Sequence, residues 1–266
     1  MLTMRKLCLA AAVAAVMVVS GAAARADGVL KFGVAAEPYP PFTTQEASGK
    51  WVGFEVDLMN AVCAAEDLKC EMVGTAWDGI IPALNANKID VIWSSMSITP
   101  ERSKVIDFTD KYYNTPIEVI GPKNEKYTLT TQDYSALKGK TVGVQTSTIH
   151  ANFVKHYFGD VVMKVYDTQD NANADLAAGR LDAVVADSAA LQPFLDSDDG
   201  KACCEKKLII PGNFDPVIQG KGVGGGLRKS DTALREKLNE GIKKVRADGT
   251  YDKLAKKYFD FDIYGG

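Results

Sequence analysis

The run Asp90-Val-Ile-Trp-Ser-Ser-Met-Ser-Ile-Thr-Pro-Glu-Arg102 places four hydroxyls and a guanidinium just beyond a short apolar segment. Ser97 and Thr99 follow that segment directly, and Pro100 suits the first position of a helix, which puts Arg102 in its first turn. A guanidinium there can fold back over the serines. Its planar fork matches a carboxylate bidentately, in a charge-assisted contact. Farther along, Ala183-Val-Val-Ala-Asp187 is a second apolar segment, and it ends in a carboxylate suited to an ammonium group. The alternatives are plain ones: Arg102 facing solvent beside Glu101 or Asp107, and Asp187 as a surface acid at a strand end.

The elements that position these groups show themselves as an internal echo. Residues 84–95 (LNANKIDVIWSS) and 176–187 (LAAGRLDAVVAD) match at an offset of 92 in Leu, Ala, a basic residue, Ile/Leu and Asp. Each copy reads as a helix end, a tight basic turn and a short buried strand. Apolar runs without alternation mark strands of a parallel sheet covered on both faces. A second echo pairs Lys31-Phe-Gly-Val34 with Lys140-Thr-Val-Gly-Val144. A β-α-β unit therefore occurs twice, over 30–95 and 140–187, which predicts two Rossmann-like α/β lobes, each with a parallel sheet. The competing reading is one doubly wound domain with coincidental similarity. Ligands of open α/β sheets bind beyond the carboxyl ends of the strands. Two lobes facing each other would thus offer Ser94–Ser97 from one side and Asp187 from the other.

The N-terminus carries Arg5 and Lys6, an uncharged apolar run from Leu7 to Val19, and Ala24-Arg25-Ala26. This is the pattern of a secretory signal peptide over 1–26, with cleavage before Asp27; a retained anchor is the alternative. Cys8 lies at the start of the apolar run rather than after it and is no lipoprotein cysteine. Removing 1–26 takes away three basic residues (Arg5, Lys6, Arg25) and no acid, so a net charge of −3 becomes −6. That balance argues against nucleic acid, whose phosphates need clustered positive charge. In an oxidising compartment Cys63 and Cys70 are expected to be bridged. Cys203 and Cys204 could form a vicinal disulfide, stay as thiols or bind a metal, although a chain with two histidines is poorly equipped for zinc. Gly220–Ser230 lacks the Gly-Lys-Ser/Thr ending of a phosphate loop. Asp231–Ala247 reads as a helix with the apolar stripe Leu234, Leu238, Ile242 and Val245.

The motif Ser-Ser-Met-Ser-Ile-Thr-Pro-Glu-Arg102, together with Val52-Gly-Phe-Glu-Val-Asp-Leu58, Trp77-Asp-Gly-Ile-Ile-Pro-Ala-Leu84 and Asp248-Gly-Thr-Tyr-Asp-Lys253, resembles the periplasmic polar amino acid-binding proteins of bacterial ABC importers. The resemblance to this family (solute-binding protein family 3) runs from about Leu30 to Tyr264. The lysine/arginine/ornithine- and histidine-binding branch looks nearest, and it also shows a disulfide at the Cys63/Cys70 spacing. The resemblance implies a periplasmic binding protein type II fold, a free amino acid as ligand, a membrane permease as partner, a monomer, and no cofactor. By the same resemblance Arg102 and Ser97 hold the ligand α-carboxylate, joined by Thr148 and Ser147 of the Gln145–Thr148 turn. Asp187, with a carbonyl near Ser95, receives the α-ammonium. Tyr39 and Trp77 sandwich the ligand side chain.

Two departures leave the ligand open. Members that take cationic amino acids tend to carry an acid three residues before the tyrosine, where Ala36 stands here; Glu37 either supplies that charge from a shifted loop or faces solvent. Ile149 occupies a position that is usually polar. The expected lobes are 27–115 with 216–266, and 116–215, with a two-strand hinge near Glu118–Pro122 and Val217–Val223. An opine is a rival ligand. A rival of another class is a periplasmic cyclohexadienyl or arogenate dehydratase, in which Glu37 would be the proton donor.

Overall fold

The computed structural model describes residues 28–265. The signal-peptide expectation for 1–26 lies outside them. No helix among the described residues is long and apolar enough to cross a membrane.

The described residues begin with strand β1 (Val29–Ala35), the short pair β2 (Thr44–Gln45) and β3 (Trp51–Val52), helix α1 (Phe54–Ala65) and strand β4 (Lys69–Thr75). There follow α2 (Ile80–Asn85), β5 (Val91–Ile92) and β6 (Asp107–Phe108). The middle of the chain supplies β7 (Ile117–Pro122), β8 (Thr141–Gln145), α3 (Ile149–Tyr157), β9 (Val162–Tyr166), α4 (Gln169–Ala177), β10 (Ala183–Asp187), α5 (Ser188–Asp196), α6 (Asp198–Cys203) and β11 (Cys204–Ile210). It closes with β12 (Gly226–Leu227), α7 (Thr232–Ala247) and α8 (Thr250–Tyr258).

Two five-stranded sheets result, ordered β4-β1-β5-β12-β6 and β11-β7-β10-β8-β9. Read from opposite ends, they are the same sheet twice. β1 and β8 lie centrally in the parallel trios, β4 and β9 flank them, and β5 and β10 complete them. The two sequence echoes fall on the pairs β1/β8 and β5/β10. The expectation of wholly parallel sheets needs correction. β12 and β6 join the first sheet antiparallel, and β7 and β11 do the same in the second. Two of these added strands, β6 and β12, are only two residues long, too short to show a period in sequence.

Each sheet is covered on both faces. Phe54, Leu58, Met59, Val62 and Cys63 make one stripe of α1 and pack with Leu238, Ile242 and Val245 of α7 against Phe32 and Val91. Ile80 and Leu84 of α2 close the other face over Ile92. In the second sheet Ala183 and Val185 pack with Phe153 and Val154 of α3, while Val184 and Ala186 pack with Leu176 of α4. This alternation is the strand period of two. Cys63, in the last turn of α1, is bridged to Cys70 on β4, Cα–Cα 6.4 Å. Cys203 and Cys204 are joined to each other where α6 meets β11.

The first crossing between the sheets is displaced from the expected one. Ile117–Pro122 is not a connection: it is paired on both sides, with β10 and with β11. The chain passes instead through 114–116, between Tyr113, which bridges Val223, and Ile117. The return passes near Gly220, where Lys221 N–H donates to the Ile98 carbonyl and Ile98 N–H to that of Gly222. A Cβ on Gly220 would stand 2.4 Å from the Ile98 oxygen, and its φ is 82°. Only glycine lets the two backbones approach so closely.

Candidate functional site

The carboxyl ends of β1, β5, β8, β9 and β10 converge on one cavity between the sheets, with about 510 Å³ of space not filled by atoms. Glu37, Tyr39, Trp77, Ser95, Ser97, Arg102, Thr148 and Asp187 all line it.

The first lobe's wall is built from the turn after β5. The Ser94 hydroxyl oxygen accepts the Ala35 amide at 2.9 Å, fastening the ends of β1 and β5 together. Ser95 adopts a left-handed φ of 50°. Its amide and hydroxyl both donate to the buried carboxylate of Glu55, at 2.8 Å and 3.1 Å. Ser97 bridges Val223, and its carbonyl accepts Arg102 Nη1 at 3.0 Å. Arg102 opens a single 3₁₀ turn (Arg102–Lys104), with its amide held by the Thr99 hydroxyl at 3.2 Å. Burial draws its guanidinium down to about 10, against the pull of Glu101 and Asp187.

Side chains of the first lobe reach the second across the cleft. Arg102 Nη2 donates to the Ser147 carbonyl at 3.0 Å, Trp77 Nε1 to the Thr146 carbonyl at 3.0 Å, and the Tyr39 hydroxyl to Asp187 Oδ2 at 2.6 Å. Trp77 also lies 5.6 Å beneath the Arg102 guanidinium, in cation–π range. In the second lobe Thr148 caps α3: its hydroxyl accepts the Ala151 amide and donates to the Gln145 carbonyl. Asp187 closes β10 and is reached by the Thr115 hydroxyl and, at 3.4 Å, by His150 Nε2. Burial works to raise its pKa, but the facing imidazole and the Thr115 and Tyr39 hydroxyls outweigh it and hold the carboxyl below its ordinary value. Burial and the same Asp187 push the Tyr39 phenol well above its ordinary range.

Two placements refine the expectations. Ser147 does not line the cavity. The left-handed turn there (φ 57°) leaves its side chain exposed on the outer groove and aims its carbonyl at Arg102. Glu37 does line it, and its Oε2 is buried without a hydrogen-bond partner among the described residues. Ile149 also faces the cavity.

Gln145, His150 and Gln169 line the cavity as well, and sequence reasoning passed them over. A signal was present: His150 and Gln169 sit in the first turns of α3 and α4, immediately after β8 and β9. The strand-end rule that singled out Ser97 and Asp187 applies to them equally. Thr115 and Glu55, which act through Asp187 and Ser95, had no comparable signal.

The arrangement can hold a small molecule with a negative and a positive end. A guanidinium approaches from one lobe and a carboxylate from the other, with hydroxyls and backbone groups between.

The chain also resembles known proteins over most of its length. Residues 30–261 match the family described as bacterial extracellular solute-binding proteins, family 3. The histidine-binding periplasmic protein of Salmonella typhimurium is 43% identical over 231 residues, 86% of this chain and 86% of that protein. The L-arginine-binding protein of Pseudomonas aeruginosa is 40% identical over 265 residues, 98% and 99% of the two chains. The structure of an ancestral arginine-binding protein bound to arginine superposes with a TM-score of 0.77 at 33% identity, over 87% of this chain and 98% of that one.

Proposed function

The chain belongs to the bacterial extracellular solute-binding proteins of family 3, and from that membership we propose that it captures a cationic amino acid in the periplasm for an ABC importer. The carrying observation is the cavity itself, with Arg102 and Asp187 supplied from opposite sides. The ligand α-carboxylate takes the Arg102 guanidinium, with Ser97 and Thr148 beside it. The α-ammonium takes Asp187 and a carbonyl near Ser95. Tyr39 and Trp77 flank the side chain, and the buried, unpartnered Glu37 Oε2 receives its positive end. Arginine, lysine, ornithine and histidine all fit that chemistry.

The lobes are taken as 27–115 with 216–266, and 116–215. An amino acid docks first on the open first lobe. Closure then brings Asp187 and Thr148 to it, and contacts available only when closed shift the hinge equilibrium. The closed monomer is what the membrane permease reads.

The test is calorimetry with arginine, lysine, ornithine, histidine, glutamine and common opines. Tightest binding of a cationic amino acid supports the proposal, and preference for an opine or a neutral amino acid redirects it. Arg102→Ala should abolish measurable binding, and unchanged affinity would remove Arg102 from the carboxylate end. The protein acts as a carrier, not a catalyst; turnover of arogenate or prephenate, with Glu37 as proton donor, would overturn that.

A further inference from the structure

Glu55 is fully buried in the first turn of α1, directly behind the cavity wall. Among the described residues no cation is one of the groups that hold it. Oε1 accepts the Ser95 amide at 2.8 Å, the Tyr112 hydroxyl at 2.8 Å and the Tyr113 hydroxyl at 3.4 Å. Oε2 shares the Ser95 amide at 3.0 Å and accepts the Ser95 hydroxyl at 3.1 Å. Ser95 is thus gripped at both its amide and its side chain while its backbone sits in the left-handed region. A residue with a Cβ stays there only when its surroundings over-determine it. The neighbours on either side are working parts of the wall. Ser94 ties β5 to β1, and Ser97, two residues on, presents the carbonyl that orients Arg102.

We propose that Glu55 is a positioning residue whose ionised carboxylate holds Ser95 in this conformation, so that the strength of ligand binding follows the charge on Glu55. Every partner of the carboxylate is a donor, and an ionised carboxylate, which only accepts, suits that set. Placing a proton on either oxygen sets it against the Ser95 amide, which has no freedom to turn, whereas the two tyrosine hydroxyls can rotate. Burial raises the pKa of Glu55 to about 7, against the donors from Ser95, Tyr112 and Tyr113, so both charge states are populated near neutrality.

The groups around it do not supply that titration. Tyr112 and Tyr113 are themselves pushed well above their ordinary range by burial and by Glu55, and Tyr39 also feels its charge. From α8 the Tyr251 hydroxyl donates to the Tyr112 carbonyl. Asp57, on the same helix, is held by Lys257 and Tyr258. Arg102 stands on the same wall, and across the cleft are Asp187 and the imidazole of His150. The experiment also replaces His150, whose imidazole faces Asp187 at 3.4 Å.

The inference rests on the amino acid site proposed above, and one arm of the test does not need that site. In ligand-free protein labelled with 15N-serine, the Ser95 amide resonance should titrate near neutrality together with the 13C carboxyl resonance of Glu55, and Glu55→Gln should abolish the Ser95 titration. In the second arm, calorimetry with arginine in a His150→Gln background should show binding about tenfold weaker near pH 5.5 than near pH 8.5, a dependence that Glu55→Gln flattens. A Ser95 amide that does not move over this range, or moves without Glu55, overturns the proposal. So does an affinity profile that Glu55→Gln leaves sloped. Should Glu55→Gln fail to fold, the matching of the two midpoints in the otherwise native protein decides. Absence of binding by any amino acid at any pH would sink the functional reading and leave the Ser95 titration to stand or fall alone.

Discussion

The Tyr39 hydroxyl donates to Oδ2 of Asp187 at 2.6 Å, although 148 residues separate them. With Thr115 on the other oxygen and His150 nearby, Asp187 is fully engaged by neutral or weakly basic partners from both lobes. A ligand ammonium entering the cavity takes a share of that carboxylate from Tyr39.

Asp187→Asn should therefore weaken arginine binding on the order of 10²–10³-fold, because it leaves a desolvated ammonium without its counter-charge. Tyr39→Phe should change affinity by less than about tenfold, since it removes a neutral hydrogen bond that the ligand partly replaces. Calorimetry reads both. Equal losses from the two substitutions would deny Asp187 the ammonium.

The proposed site assigns the side-chain selectivity to Glu37. Glu37→Gln keeps the shape of the cavity and removes the charge, so affinity for arginine should fall about 10–100-fold, the range for a hydrogen bond to a charged group. Affinity for glutamine should hardly move. A parallel loss for both ligands would return Glu37 to the surface loop.

Glu55 has a signature in stability as well as in binding. Its carboxyl is raised from 4.5 to about 7, so the folded protein holds that proton more tightly than the unfolded chain does. The stabilising contribution is complete below the unfolded value and is lost as pH rises through about 7. Relative to Glu55→Gln, the native protein should lose on the order of 3 kcal/mol between about pH 4 and pH 8. Urea unfolding of both proteins across this range measures it. A constant difference would mean that Glu55 does not titrate there.

Much of this architecture was legible because the chain repeats itself. The copies at 84–95 and 176–187 fall on β5 and β10, and their strand ends led to Ser97 and Asp187 without any structure. The hinge is hard to place from sequence for a physical reason. Ile117–Pro122 is mostly apolar, with Glu118 as its charged residue, and a short strand crossing between lobes reads much as one paired on both sides does. His150 escaped because a single histidine on an apolar helix face usually packs in a core. Glu55 lies inside a quoted motif, yet its partners stand 40 and 57 residues away. Nothing local marks a buried carboxylate.

Trp77 and Arg102 both grip the Thr146–Ser147 turn through main-chain oxygens. The hold of the halves on each other therefore rests on main-chain atoms there, although the left-handed backbone at Ser147 still restricts which residues fit it. Ile149 and His150, two or three residues farther along and facing inward, can change cargo preference independently. Shutting the cleft and choosing what it encloses are separately evolvable in this molecule.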